Sequence, residues 1–303
     1  MKIIAAVVPR RSYAPELYAL KDYLSDAEDV RLELISPEDA RRRGGVDDYD
    51  ALYLKMGFAP VWNRTGIPEI HDYSSSSTGR SPRVKNAIKS LLSRRPVLRS
   101  FLNDSVRDQF HFPVKVPYIL RDMGVPDRFL EAGRSRRAQP DFDLFYAGSI
   151  STSRRSMDLF RAVERAGLSI LAAGHVQSDI AVAFRGSRLV EFAGAVEARD
   201  LPELAARCRF GVNLTPDVRP FNFQTSTKVL EYLALGLPVV SNDYSWVREF
   251  EARSGARIAK LPDISQLTPE TLDYDFAVPD MSDYSWRSIF DSSGIRAALT
   301  AVV

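Results

Sequence analysis

The stretch Gln224-Thr225-Ser226-Thr227-Lys228-Val229-Leu230-Glu231-Tyr232-Leu233-Ala234-Leu235-Gly236-Leu237-Pro238-Val239-Val240 reads as a capped helix running straight into a strand. Hydroxyl residues open it, and apolar residues recur with helical period from Val229. Gly236 suits the left-handed position that ends a helix, and Pro238 cannot continue one. A helix over Thr227–Leu235 and a strand over Pro238–Ser241 are expected. A helix N-terminus presents unpaired N–H groups and a positive dipole end, so Gln224, Thr225, Ser226, Thr227 and Lys228 are candidate phosphate contacts. Glu231 lies about one turn further in, where a carboxylate can accept two hydrogen bonds from a ribose diol. That order of residue types fits a nucleoside diphosphate. An ordinary capped helix, with Glu231 answering the dipole, is the plainer alternative.

Outward from this segment, β-like runs alternate with helical periods, the pattern of parallel sheets with crossover helices. In the second half, strands are expected at Leu144–Ala147, Leu168–Ala172, Leu189–Phe192 and Phe210–Leu214, with helices at Ser156–Ala166 and Leu201–Arg207. In the first half, strands are expected at Ile3–Val8, Val30–Ile35, Ala51–Leu54, Pro68–His71 and Val97–Leu102, with a helix at Pro15–Leu24. The loop Asp72–Gly79 carries four consecutive serines, Ser74 to Ser77, and reads as flexible. Ser81 as N-cap and Pro82 open a helix whose apolar stripe is Val84, Ala87, Ile88, Leu91 and Leu92. A polar run from Glu131 to Pro140 is the linker candidate. The expected division is an acceptor-binding domain over 1–135, a nucleotide-binding domain over 140–282, and a terminal helix over 283–303, interrupted near Gly294 and packing back on the first domain.

Composition bounds the reading. A chain of 303 residues suits two domains, and 45% hydrophobic with 26% charged residues is ordinary for a globular protein. A formal charge of +2 gives no global reason to bind nucleic acid. The single Cys208 has no partner for an intramolecular disulfide, and three histidines leave little for a Cys/His zinc cage. The run Ile3–Val8 is too short for a signal h-region or a membrane span. These features make a cytoplasmic location the expectation, with the inner face of a membrane as its variant.

The segment from Lys228 to Val240 resembles the nucleotide-binding segment of GT-B glycosyltransferases, especially the family 4-like group, whose helix reads close to K-x-x-E-Y-x-A-x-G-x-P-V-V. Asp143-Leu144-Phe145-Tyr146-Ala147-Gly148-Ser149 is similar to the strand-glycine turn opening the second domain of that fold. Phe192-Ala193-Gly194-Ala195-Val196 followed by Asp200-Leu201-Pro202-Glu203-Leu204 looks like the family's base-binding loop and following helix. The resemblance spans about residues 140 to 250. It implies an α/β architecture of two Rossmann-like domains facing each other across a cleft. It also implies metal-independent transfer of a hexosyl group, with retention, from a UDP- or GDP-type sugar to a glycan, lipid-linked saccharide or small molecule. The nucleotide sugar is then a substrate, and no cofactor is expected. Gly148, Ser149, Gly194 and Val196 fall at family donor-site positions, and Glu231 takes the ribose role. The family's second glutamate, eight positions before the helical one, is replaced by Phe223, with Asn222 and Gln224 as the nearest polar substitutes.

The resemblance also places a basic residue near Arg154 and Arg155, where a fixed cation with Lys228 would neutralise a departing diphosphate. His71 and Asp72 end a strand, where ligands of open α/β sheets bind, and are the candidate catalytic groups of the first half. His175 is expected near the nucleotide and His111 is read as structural. Three Asp-x-Asp matches, Asp48–Asp50, Asp141–Asp143 and Asp273–Asp275, read as polar loops, and no catalytic metal is expected. Arg80, Arg83, Lys85, Lys89, Arg94, Arg95 and Arg99 occur with no acidic residue between Arg80 and Arg99, a pattern suited to an anionic membrane or acceptor and equally to a solvated helix face. No aromatics interleave with them for base stacking. The rival readings are a nucleotide-sugar 2-epimerase of the same fold and an inactive nucleotide-sugar-binding scaffold.

Overall fold

A computed structural model describes residues 1–8, 14–42, 44–56, 66–79, 81–134 and 140–303. The chain divides into two compact units. The first holds β1 (Lys2–Val7), α1 (Pro15–Tyr23), β2 (Val30–Ile35), α2 (Pro37–Arg41), β3 (Ala51–Lys55), β4 (Glu69–Tyr73), α3 (Pro82–Leu92), β5 (Leu98–Phe101), α4 (Asp104–Arg107) and β6 (Tyr118–Leu120). The second holds α5 (Asp127–Arg134), β7 (Phe142–Ala147), α6 (Ser156–Ala166), β8 (Ile170–Ala173), α7 (Ser178–Ala183) and β9 (Val190–Gly194). It continues with α8 (Leu201–Ala205), β10 (Cys208–Asn213), α9 (Thr227–Ala234), β11 (Val239–Asn242), α10 (Ser245–Ser254) and β12 (Ala259–Leu261). The last helices, α11 (Trp286–Ser293) and α12 (Ile295–Val302), return to the first unit.

Each unit is built on a six-stranded parallel sheet, in the order β2-β1-β3-β4-β5-β6 in the first and β12-β11-β10-β7-β8-β9 in the second. Central parallel strands are covered on both faces, which is why β4 is buried along its whole length and β7 over Leu144–Ala147. Leu17, Leu20, Leu32 and Ile70 pack with Trp286, Phe290, Ile295 and Leu299 in the first core. Gly124 admits α11 closely, since a Cβ there would lie 2.8 Å from the Trp286 ring. The terminal segment is two helices, joined at Gly294 with φ +63°.

The division between the units falls at Gly124–Val125, ahead of the linker expected over 131–140. The cause is α5, which packs on α9 so closely that a Cβ on Gly133 would meet the Ala234 carbonyl oxygen at 2.2 Å. Residues 135–139 of the expected linker lie outside the described residues.

Three other expectations change. Strand β4 runs on through Asp72 and Tyr73. The serine run is held in place: Ser76 and Ser77 are buried, Ser74 Oγ donates to Asp72 Oδ2 at 2.6 Å, and Ser77 N donates to Asn86 Oδ1 at 3.0 Å. Helix α3 buries Asn86 and Ser90 and turns its apolar stripe outward, while Ser81 adopts a left-handed conformation and makes no side-chain cap.

Candidate functional site

The site is built at the carboxyl end of the second sheet, where open α/β sheets receive ligands. Three glycines follow or end adjacent strands: Gly148 after β7, Gly174 after β8 and Gly194 at the end of β9. Gly148 N donates to the Ala173 carbonyl at 2.8 Å, and Gly174 N to the Gly194 carbonyl at 2.7 Å. Gly148 (φ +144°) and Gly174 (φ +148°) have no room for side chains, since a Cβ on Gly174 would lie 1.8 Å from the Gly148 carbonyl oxygen. Together they form a bare backbone ledge. Tyr146 Oη donates to the Ser149 carbonyl at 3.1 Å and fixes the turn after β7, leaving Ser149 exposed.

Helix α9 is pinned beside this ledge. Ala147 N donates to Tyr232 Oη at 2.8 Å, and the Tyr232 ring lies where a Cβ on Gly211 would be 2.5 Å away. Ser226 is the N-cap: its Oγ accepts from Val229 N at 3.4 Å and donates to Asn213 Oδ1 at 3.0 Å. Asn213 in turn donates to Ser241 Oγ and Tyr244 Oη. The Ser226 hydroxyl is therefore engaged within the protein, and the α9 tip offers the Thr227 and Lys228 N–H groups instead.

Lys228 reaches back over the ledge. A Cβ on Gly148 would lie 2.7 Å from Lys228 Cε and 2.8 Å from Nζ, so the glycine makes space for the ammonium group. Among the described residues Lys228 has no hydrogen bond or ion pair, and Nζ sits 5.9 Å from the Tyr146 ring centroid. Burial, followed by the charge of Arg154, lowers the Lys228 pKa from its ordinary value against the opposing pull of Glu231. Glu231 is half-buried, and burial pushes its pKa up to about 7 although Lys228 pulls it down. The result is two neighbouring cations, and a carboxyl group whose charge is incompletely answered.

Arg154 and Arg155 differ. Arg155 donates through Nε to Asp158 at 2.9 Å and pairs through Nη2 with Asp263 at 2.8 Å. Arg154 is exposed, its side chain has no partner among the described residues, and its charge acts on Lys228. The clamp expected of either arginine is thus open only to Arg154. Val196 is half-buried just past β9, and His175 is exposed just past Gly174. Gly174 itself was not legible as a site residue beside Gly148 and Gly194, although Ala172-Ala173-Gly174 repeats the strand-glycine pattern of Tyr146-Ala147-Gly148.

The other expected residues, Gln224, Thr225, His71 and Asp72, group by their contacts with the first unit. Thr225 Oγ1 donates to Asp122 Oδ1 and belongs with the first unit, as does Gln224, whose side-chain amide nitrogen is buried without a partner among the described residues. His71 and Asp72 are each 1% exposed. His71 Nε2 is 2.8 Å from Glu69 Oε2, and Asp72 receives Arg121 Nη2 at 2.9 Å. Burial would raise the Asp72 pKa, but Arg121 and Lys55 outweigh it and hold the carboxyl below its ordinary value. Sealed in the sheet, neither side chain is open to a sugar, which corrects their expected catalytic placement. Lys55 pairs with Glu16 beside them. Four of the six Asp-x-Asp carboxylates bind within the protein: Asp50 accepts from Ile3 N, Asp141 from Arg207, Asp143 from Ser169 and Arg209, and Asp275 from Arg257. Among the described residues no three His, Cys, Asp or Glu side chains gather as a metal site.

No protein-family model matches the sequence, and no curated protein matches it. Solved structures do. AviGT4, a glycosyltransferase involved in avilamycin A biosynthesis, superimposes with a TM-score of 0.63 at 16% identity, covering 100% of this chain and 99% of that one. Sucrose-phosphate synthase from Thermosynechococcus elongatus gives 0.63 at 11% identity, covering 100% and 95%. The Methanocaldococcus jannaschii UDP-GlcNAc 2-epimerase, solved with UDP-GlcNAc and UDP, gives 0.58 at 9% identity, covering 99% and 100%. With two parallel six-stranded sheets and these structural relatives, the chain has the GT-B fold.

Proposed function

We propose that the protein transfers a hexosyl group from a UDP- or GDP-type sugar to a hydroxyl of a glycan, a lipid-linked saccharide or a small molecule. The observation that carries this reading is the pair of unpartnered cations, Lys228 and Arg154, beside the ledge of Gly148, with Glu231 one turn along α9. The diphosphate lies against Lys228 Nζ and the N–H groups of Thr227 and Lys228, and Arg154 closes it from the solvent side. Glu231 accepts hydrogen bonds from the ribose hydroxyls. Gly174, Gly194 and Val196 border the nucleoside. As the bond from the sugar's anomeric carbon to the diphosphate oxygen breaks, negative charge builds on that oxygen, and the fixed cations stabilise it without a metal. The acceptor hydroxyl forms the new bond on the same face and passes its proton to the departing diphosphate, so retention needs no separate base. This suits a first unit whose His71 and Asp72 are sealed away.

Incubation with isotopically labelled UDP- and GDP-sugars tests the reading. Transfer, or slow release of free sugar and nucleoside diphosphate, supports it. A nucleotide sugar epimerised at C2 would assign the epimerase activity instead. Binding of nucleotide with neither outcome would mark a non-catalytic binding protein. NMR of the product's anomeric configuration tests retention.

A further inference from the structure

Helix α3 is oriented against the usual rule for an amphipathic helix. Val84, Ile88, Leu91 and Leu92 lie on one stripe and are 57%, 49%, 69% and 66% exposed. The inward face is polar, with Asn86 and Ser90 each 2% exposed. Two hydrogen bonds tie the helix to the serine loop in that orientation: Asn86 Oδ1 accepts from Ser77 N at 3.0 Å, and Lys85 Nζ donates to the Thr78 carbonyl at 3.1 Å. The apolar stripe therefore faces solvent in a fixed arrangement. An exposed contiguous apolar surface of this kind marks an interaction site.

The flanking charge identifies the partner. Arg83, Lys85 and the half-buried Lys89 lie on α3 with the stripe, Arg94 and Arg95 follow it in the chain, and no acidic residue occurs between Arg80 and Arg99. Arg94 approaches Glu69 at 3.8 Å and remains half exposed. Arg99 does not join this face, because it is buried with its guanidinium 3.7 Å from the Phe112 ring centroid, and Arg80 lies outside the described residues. A short helix with an apolar stripe and a cationic border is built to lie in a bilayer interface. No helix among the described residues is long and apolar enough to cross a membrane.

We propose that α3 docks the protein on an anionic phospholipid bilayer, with Val84, Ile88, Leu91 and Leu92 entering the acyl boundary and Arg83, Lys89 and Arg95 meeting the headgroup charge. Co-sedimentation with phosphatidylglycerol/phosphatidylcholine vesicles, and with phosphatidylcholine vesicles alone, tests it. The wild type should bind the anionic vesicles, more weakly at high salt, and largely ignore the neutral ones. The Ile88→Ser/Leu91→Ser/Leu92→Ser variant should bind roughly tenfold or more weakly, and Arg83→Gln/Lys89→Gln/Arg95→Gln should lose the salt dependence. Both should keep the wild-type unfolding transition and nucleotide affinity, so a defect in the donor site is read separately by calorimetry. Absence of wild-type binding to anionic vesicles, or unchanged binding by the serine variant, would overturn the proposal. So would a wild-type dimer that the serine variant dissociates, since a second copy would then cover the stripe.

Discussion

At the carboxyl end of the first sheet, Glu16 meets Lys55 and Asp72 meets Arg121, with Glu16, Asp72 and Arg121 buried and Lys55 partly exposed. At the carboxyl end of the second, glycines replace side chains, and the Lys228 and Arg154 side chains make no ion pair among the described residues, although the Glu231 charge acts on Lys228. The first arrangement pairs each cation with a carboxylate, although Arg121 Nε and Nη1 and His71 Nδ1 are buried without a hydrogen-bond partner among the described residues. The second leaves like charges near one another at a partly desolvated place, a condition that a bound anion relieves. Position on the fold is the same in both. The two edges differ in whether a carboxylate forms an ion pair with the cations there.

The largest effect should come from breaking the closed edge. Asp72→Ala leaves Arg121 buried without its carboxylate and should destabilise the first unit by about 3–5 kcal/mol in urea unfolding. An unperturbed transition would mean that the pair is not structural. The Asp72 pKa is depressed, so the pair's contribution is present above the ordinary carboxylate range and is lost as pH falls through the lowered value.

At the open edge, Glu231→Ala should weaken nucleotide binding by about 1.5–3 kcal/mol, and Glu231→Gln by less because the amide keeps one acceptor. Ribose donors favour the ionised carboxylate, and burial pushes the Glu231 pKa up to about 7 in the nucleotide-free site. Affinity should therefore rise as pH increases through that value, and the rise should vanish in Glu231→Gln. A calorimetric pH series comparing the two proteins checks the sign.

The two arginines sharpen the contrast within one turn of chain. Arg154→Ala should lower diphosphate affinity by about 1.5 kcal/mol or more, whereas Arg155→Ala removes exposed ion pairs and should change it by less than about 1 kcal/mol. Equal effects would contradict the separate roles. The smallest expected change is with a chelator: EDTA should leave transfer intact, and loss with rescue by manganese or magnesium would contradict the metal-free clamp.

Much of the second sheet was legible because its signals are local. Gly236 takes φ +71° before Pro238, as the helix-ending pattern requires, and Gly148 follows its strand. The ledge was only partly legible, since Gly174 matters through the Gly148 carbonyl and not through its own sequence neighbours. Asp72 was misplaced because its partner Arg121 is 49 positions away, and a central strand buried on both faces gives no alternation to show where charge goes. In α3, periodicity identified which residues share a stripe, while hydrogen bonds from the serine loop decided which side faces in. Short elements such as β6 and β12, of three residues each, carry too little pattern to be seen.

If Lys228 and its glycine ledge hold a diphosphate, nucleotide affinity should depend on that one ammonium group. Calorimetric titration of UDP and GDP into the wild type and Lys228→Ala at neutral pH measures this dependence. The wild type should bind at least one of them, and Lys228→Ala should bind it roughly tenfold or more weakly, with an unchanged unfolding transition. Equal affinity in the two proteins, or no binding of either nucleotide by the wild type, would contradict it.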